Sequence, residues 1–273
     1  DAMSREEMLY NGNRLAESRG CGKTPSAARL ACMRNLSVAA LLAEPYGRFA
    51  PGVDGISVRA VPLSAIAAGD WASTVDVIIG STACESCAGQ GMFLPPGKPR
   101  PISDHAFDAA LNATFTASRF RQPVPLSGPL VKSWYEGYRS ARGNWQTLTR
   151  IASDDGHACN AHLMAAAFLR TAANGTTVRR YEFRAAGGHP GQTYPGAFHA
   201  SDLQYLFRTR PEYEPQRLSP AQDALARHMQ RLWGGFAHGA GGLAPSEWPV
   251  CTRKGASACD HVLVLDTPKP TVV

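Results

Sequence analysis

Apolar residues recur along the chain with two different periods, and the switching between them predicts mixed helix and strand. Thr24-Pro25 opens a stretch running to Ala43 in which Leu30, Met33 and Leu41 fall on one face. That spacing predicts a helix with Thr24 as N-cap and Pro25 as first helical residue, where its missing N–H costs nothing. Phe49 to Gly55 carries proline and glycine and reads as a loop. Val75 to Ile79 is a short β-branched run, the pattern of a strand buried on both faces. Segments 104–120 and 128–142 are irregular to helical, whereas Leu148 to Leu169 carries a helical pattern through Cys159, Leu163, Ala167 and Phe168.

Further on, Thr177 to Arg184 alternates as a strand does. The Gly/Pro-rich segment 186–196 is then a loop. Ser219-Pro220-Ala221-Gln222 is a capping box with proline at the first helical position. It opens a helix lined on one side by Leu225, Met229, Leu232, Trp233 and Phe236, closing at Gly234-Gly235 or soon after. His261 to Asp266 reads as the last strand. There is no internal repeat and no long linker, so residues 1–273 read as part of one α/β sheet domain.

Composition narrows this little. With 44% hydrophobic and 18% charged residues the chain is ordinary for a globular protein with a substantial core. A net charge of +6 spread over scattered Arg and Lys, without basic runs interleaved with aromatics, argues against nucleic acid as a partner. No apolar run is long enough to span a bilayer. The opening Asp-Ala-Met-Ser-Arg-Glu-Glu has no basic segment leading into an apolar one, so no signal peptide is read there. Seven cysteines point to an oxidising compartment, and three Asn-x-Ser/Thr sequons (Asn35, Asn112, Asn174) are compatible with a secreted glycoprotein.

Two stretches carry the chemistry. Asp76-Val-Ile-Ile-Gly80-Ser-Thr-Ala-Cys-Glu85 ends a β-type run in a glutamate, and Gly196-Ala-Phe-His199-Ala-Ser-Asp202 places a histidine just before an amphipathic stretch. An α/β-hydrolase displays the acid and base of its triad on such turns, in the chain order Ser…Asp/Glu…His. The nucleophile elbow Gly-x-Ser-x-Gly does not occur in the 273 residues.

Several blocks, in order, resemble the type-B carboxylesterases, the family of the cholinesterases, from about Leu15 to Asp266. They are Ala16-Glu-Ser…Cys21 with Cys32, Phe49-x-Pro-x-Val-Asp54-Gly55, Pro62-Leu-Ser…Gly69, the Glu85 strand, Asp155-Gly-His-Ala-Cys159, Asn174-Gly-Thr176, His199-Ala-Ser-Asp202-Leu, Met229-x-x-x-Trp233-x-x-Phe236 and Trp248-Pro249. The resemblance implies the C-terminal half of an α/β-hydrolase fold, a mixed, mostly parallel sheet flanked by helices. It also implies ester hydrolysis with Glu85 as triad acid and His199 as base, and neither metal nor organic cofactor. A Cys21–Cys32 disulfide follows from it, and Cys159 takes the position of a long-range family disulfide whose usual partner lies outside this sequence. Cys251 or Cys259 then substitutes for that partner, or the two pair together. The sequence departs from the family where Cys84 and Ser86 flank the acid in place of Asp and Gly.

On this reading the chain should be inactive alone, with the nucleophile on a missing N-terminal half or a partner chain, a small ester as substrate, and a secretory-lumen or extracellular location. The alternative is a non-catalytic esterase-like interaction or structural module. Asp202 either hydrogen-bonds near the histidine loop or caps the following helix. Cys84 and Cys87 have CxxC spacing without the second pair that zinc requires, so structural thiols or a disulfide to another segment are expected. Trp134, Tyr135 and Tyr138 are read as core rather than as an acyl or choline-type pocket. His157, His162 and His189 are read as surface or satisfied loop residues.

Overall fold

A computed structural model of the chain describes residues 3–43, 51–87, 101–115, 126–185, 197–208, 218–239, 243, 246–252 and 259–273. It divides into two compact units, residues 1–73 and 74–273.

The first unit is helical. Its opening helix α1 (Arg5–Ser18) was not anticipated from the sequence, yet Ser4 and Glu7 form a full capping box at its start. Helix α2 (Ala27–Arg34) begins two residues later than predicted. Ser26, not Thr24, is its N-cap, because the Ser26 hydroxyl in extended backbone accepts from the Arg29 N–H at 3.1 Å. The predicted single helix also breaks after Asn35, where Ser37 caps a separate short helix α3 (Val38–Leu42) by accepting from Ala40 N–H. Both breaks have one cause: a serine hydroxyl competes for backbone N–H groups better as a cap than inside a helix. Leu30, placed on an apolar face by its spacing, is half exposed. Helix α4 (Pro62–Ala67) closes the unit, and the Cys21–Cys32 disulfide ties the end of α1 to α2. The Arg29 guanidinium adds bonds to Lys23 O, Gly12 O and Asn13 Oδ1.

The second unit is a sheet with helices on both faces. Among the described residues, strand β1 (Val77–Thr82) is followed by helices α5 (Asp104–Thr114), α6 (Gly128–Arg142), α7 (Asn144–Ser153) and α8 (Cys159–Thr171). A π-helical turn, Asp154–Ala158, joins α7 to α8. The chain then enters β2 (Val178–Phe183), helices α9 (Leu203–Phe207) and α10 (Pro220–Ala237), and strands β3 (Leu263–Leu265) and β4 (Thr271–Val272). Strand order is β1-β2-β3-β4, parallel except for the final antiparallel pair. The α10 capping box forms as the sequence predicts, and the helix runs through Gly234-Gly235 to Ala237. Of the segments 104–120 and 128–142, read as irregular to helical, residues 104–114 and 128–142 are regular helices, each opened by a serine N-cap, and 116–120 lie outside the described residues.

The period-2 pattern of β2 sorts the two faces. Phe183 joins Tyr205, Leu225, Met229, Leu232, Trp248 and Leu265 in one core under α9 and α10, while Val178 joins Ala165, Leu169 and the Cys251–Cys259 pair under α8. Phe107, Leu111, Val131, Leu148 and Ile151 form a separate core among α5, α6 and α7. Gly80 on β1 is required for close approach, since a Cβ there would lie 2.4 Å from both the ring and the carbonyl oxygen of Tyr181.

Three expectations are corrected. Val77 to Ser81 are half-buried instead of buried on both faces, because β1 is paired only with β2 among the described residues. Trp134 is 61% exposed and Tyr138 41%; only Tyr135 packs into a core, as the buried side of α6 passes through Val131 and Tyr135, four residues apart. Cys84 and Cys87 bond to each other, not to another segment. Of the alternatives for the other cysteines, Cys251 and Cys259 pair together and Cys159 is free. The loop predicted at 186–196 and residues 49–50 of the 49–55 loop lie outside the described residues, as does His189.

Candidate active site

The site is built where β1 ends. Past Thr82 the chain turns sharply, Cys87 N–H donating to Cys84 O at 3.0 Å, and this brings the two Cα atoms to 5.2 Å, within reach of a disulfide. The disulfide therefore closes a four-residue turn around Glu85. Three further bonds hold that turn: Cys84 N–H donates to Ala197 O, Ser86 N–H to the Ser153 hydroxyl, and Ser153 in turn to Thr149 O. The Glu85 carboxylate is 7% exposed, and its Oε1 accepts from Thr82 N–H at 2.6 Å. A buried carboxylate is tolerated only with such partners.

Its second oxygen, Oε2, lies 2.7 Å from His199 Nδ1. The two residues are 114 apart in sequence, and a parallel bridge between Cys84 and Phe198 aligns the segments carrying them. Past Phe198 the histidine turn is closed by Ser201 N–H donating to Phe198 O, with Ala200 in left-handed backbone at φ 66°. The His199 side chain is 51% exposed, so its edge away from Glu85 is open. The arrangement is a buried carboxylate holding one imidazole nitrogen while the other stays accessible, the geometry of an acid–base pair.

Of the two roles open to Asp202, it hydrogen-bonds beside the histidine loop and does not cap the following helix. It stands at the N-cap of α9, but its side chain makes no capping bond and instead accepts from Tyr181 OH at 3.2 Å. Burial pushes its carboxyl above the ordinary aspartate range, with the nearby Glu85 charge adding to the effect. Burial and the Asp202 charge likewise push the Tyr181 phenol upward. Tyr181 itself packs edge-on against Trp233 and Trp248.

One neighbour escaped the sequence reading. His157, read as a surface or loop residue, stands with its ring centroid 5.7 Å from that of His199. It belongs to the π-helical turn, which Arg150 and Tyr135 brace by donating to Asp154 Oδ2. Gly156 inside an otherwise helical run was the available signal. A cavity of about 260 Å³ lies behind the Glu85 turn, lined by Cys84, Cys87, Tyr138, Arg142, Gln146 and Arg150. The Asn35, Asn112 and Asn174 side chains are all exposed.

A family model described as the carboxylesterase family matches residues 2–262. The chain belongs to the carboxylesterase family. Among solved structures it is similar to a pNB esterase at TM-score 0.67 and to a thermophilic pNB esterase at 0.68, each 19% identical in sequence. Both alignments cover 100% of this chain and 53% of the other, so this carboxylesterase-family chain spans about half the length of those structures. The fold, a mostly parallel sheet flanked by helices, is that of an α/β-hydrolase.

Proposed function

We propose that this chain is the C-terminal portion of one α/β-hydrolase domain and supplies the acid and base for hydrolysis of small carboxylic esters. The observation that carries this is the 2.7 Å contact between His199 Nδ1 and buried Glu85. A serine on a Gly-x-Ser-x-Gly elbow, in another segment or a partner chain, attacks the ester carbonyl while the open nitrogen of His199 accepts its proton. His199 returns that proton to the leaving alkoxide, and then activates the water that releases the acyl group. Glu85 holds the imidazole in the tautomer with Nδ1 protonated and stabilises the imidazolium that forms. Asp202, through Tyr181, supports the histidine loop from below. The free edge of β1, unpaired among the described residues, is where the nucleophile-bearing half would add.

Three disulfides favour an oxidising compartment, which fits a secreted protein with sugars on Asn35, Asn112 and Asn174. A second reading, an esterase-like interaction module, is favoured by Cys84 and Ser86 around the acid. A fluorophosphonate probe on natively purified protein, read by mass spectrometry with and without reductant, separates the two. A labelled serine on a covalently or non-covalently associated segment is the expected result. Absence of any label and of any associated segment would leave the interaction module and retire the catalytic role of His199.

A further inference from the structure

The triad reading uses Glu85 and His199 and leaves His157 without a task. Yet one donor atom from each of Glu85, His157 and His199 lies within 4.8 Å of the other two. Two imidazoles and a carboxylate form a ligand set suited to borderline divalent ions such as zinc. The elements around them separate the fixed from the adjustable members. Glu85 is buried and held by Thr82 N–H, whereas His157 and His199 are exposed. An ion with metal–nitrogen and metal–oxygen bonds of about 2.0–2.2 Å holds tetrahedral ligands roughly 3.3 Å apart. Reaching that spacing from a separation of up to 4.8 Å requires an inward swing of at most about 1.5 Å at the widest pair. His157 is the member able to make it, being solvent-exposed on a π-helical turn, an irregularity often found where a helix serves a site.

We propose that Glu85, His157 and His199 form a binding site for a divalent transition-metal ion of the zinc class. The ion takes a lone pair of neutral His199. If that pair is on Nδ1, the bond to Glu85 is displaced; if it is on the other nitrogen, the proton-accepting position is filled. Either way the bound ion and the proton compete for one imidazole, so occupancy would withdraw the base. That consequence rests on the proposed function; the site itself does not.

The test is calorimetric titration of zinc chloride into the full protein carrying this chain, at neutral pH. It is done in a Cys159→Ala background so that the free thiol does not bind the ion. One ion per chain is expected. Loss of even an outer-shell partner weakens metal sites 10–100-fold, so His157→Gln, which removes a direct ligand, should weaken binding by at least about tenfold. His105→Gln, on the exposed face of α5, should leave binding unchanged. Because His157 is exposed, the variant should keep the unaltered circular dichroism and melting curve; a variant that did not fold would be replaced by His157→Asn, read the same way. Absence of 1:1 binding, or binding indifferent to both His157 substitutions, overturns the proposal. The measurement needs no turnover, so its outcome is independent of whether Glu85 and His199 catalyse ester hydrolysis.

Discussion

The two turns that meet at the site are built in opposite ways. The Glu85 turn is clamped on every side: a disulfide across it, Ser153 beneath Ser86, Thr82 N–H on the carboxylate, and 93% of the residue's surface covered. The His199 turn is closed by backbone bonds alone, Ser201 N–H to Phe198 O and Leu203 N–H to Ala200 O; it passes through left-handed Ala200 and leaves half of the histidine side chain in solvent. The contrast follows from the work proposed for each. An acid that only orients and stabilises should not move, whereas a base must meet a nucleophile and a leaving group in succession. If that division is correct, disturbing the rigid turn should affect catalysis through His199 and stability directly, and the two should separate in measurement.

The largest effect is expected where the turns touch. Glu85→Gln preserves shape but favours the wrong imidazole tautomer, and the analogous change in a serine-protease triad lowers kcat by about 10⁴-fold. A comparable fall in kcat, at little changed KM, is expected for ester hydrolysis by the assembled enzyme. A loss below tenfold would mean that the 2.7 Å contact is structural.

Opening the clamp comes next. The loop closed by Cys84 and Cys87 is so short that chain entropy assigns the disulfide about 2 kcal/mol. The paired substitution Cys84→Ser with Cys87→Ser should lower the free energy of unfolding by that amount, read as a lower denaturant midpoint at unchanged slope, and kcat should fall with it because Glu85 loses its fixed position. Unchanged stability would show that the backbone bonds alone hold the turn. Ser153→Ala should match it in stability and do less to catalysis. It strips the acceptor from buried Ser86 N–H, and an unsatisfied buried donor costs about 1–3 kcal/mol. Equilibrium unfolding should show that loss without a change in the pH profile of hydrolysis.

How far the sequence could be read varied along the same contrast. The pairing of Glu85 with His199 was legible because the glutamate ends a β-type run and the histidine directly precedes an amphipathic stretch, and position within a motif survives without coordinates. The capping box at Ser219 was legible for the same reason. What failed were features set by neighbours distant in the chain. The cross-turn Cys84–Cys87 bond depends on the turn geometry after β1, and the exposure of Trp134 depends on which side of α6 meets α5 and α7. His157 was missed because its meaning comes from a residue 42 positions on, brought beside it by the bridge at Phe198. Helix α1 carries at Ser4 and Glu7 the same capping signal that Ser219 and Gln222 give α10. The spread of residues 1–73 and 74–273 into two compact units left no mark in composition or linker.

The smallest effect concerns the support beneath the histidine turn, and its sign is informative. Asp202 is buried and its carboxyl is pushed upward, so the folded state holds that proton more tightly than the unfolded chain does. Its contribution to stability is therefore full below the ordinary aspartate value of about 3.8. It declines as pH rises through the window up to the raised folded value, then stays level. Asp202→Asn keeps an oxygen to accept from Tyr181 OH but carries no charge to desolvate. The variant should accordingly gain on the wild type as pH rises from about 4, with the gap constant toward neutrality, as read from midpoints of urea unfolding across that range. A gap that narrowed with rising pH would mean that the charged carboxylate is stabilised where it sits, and the histidine turn would then rest on an ionic support rather than on a buried, reluctantly ionised one.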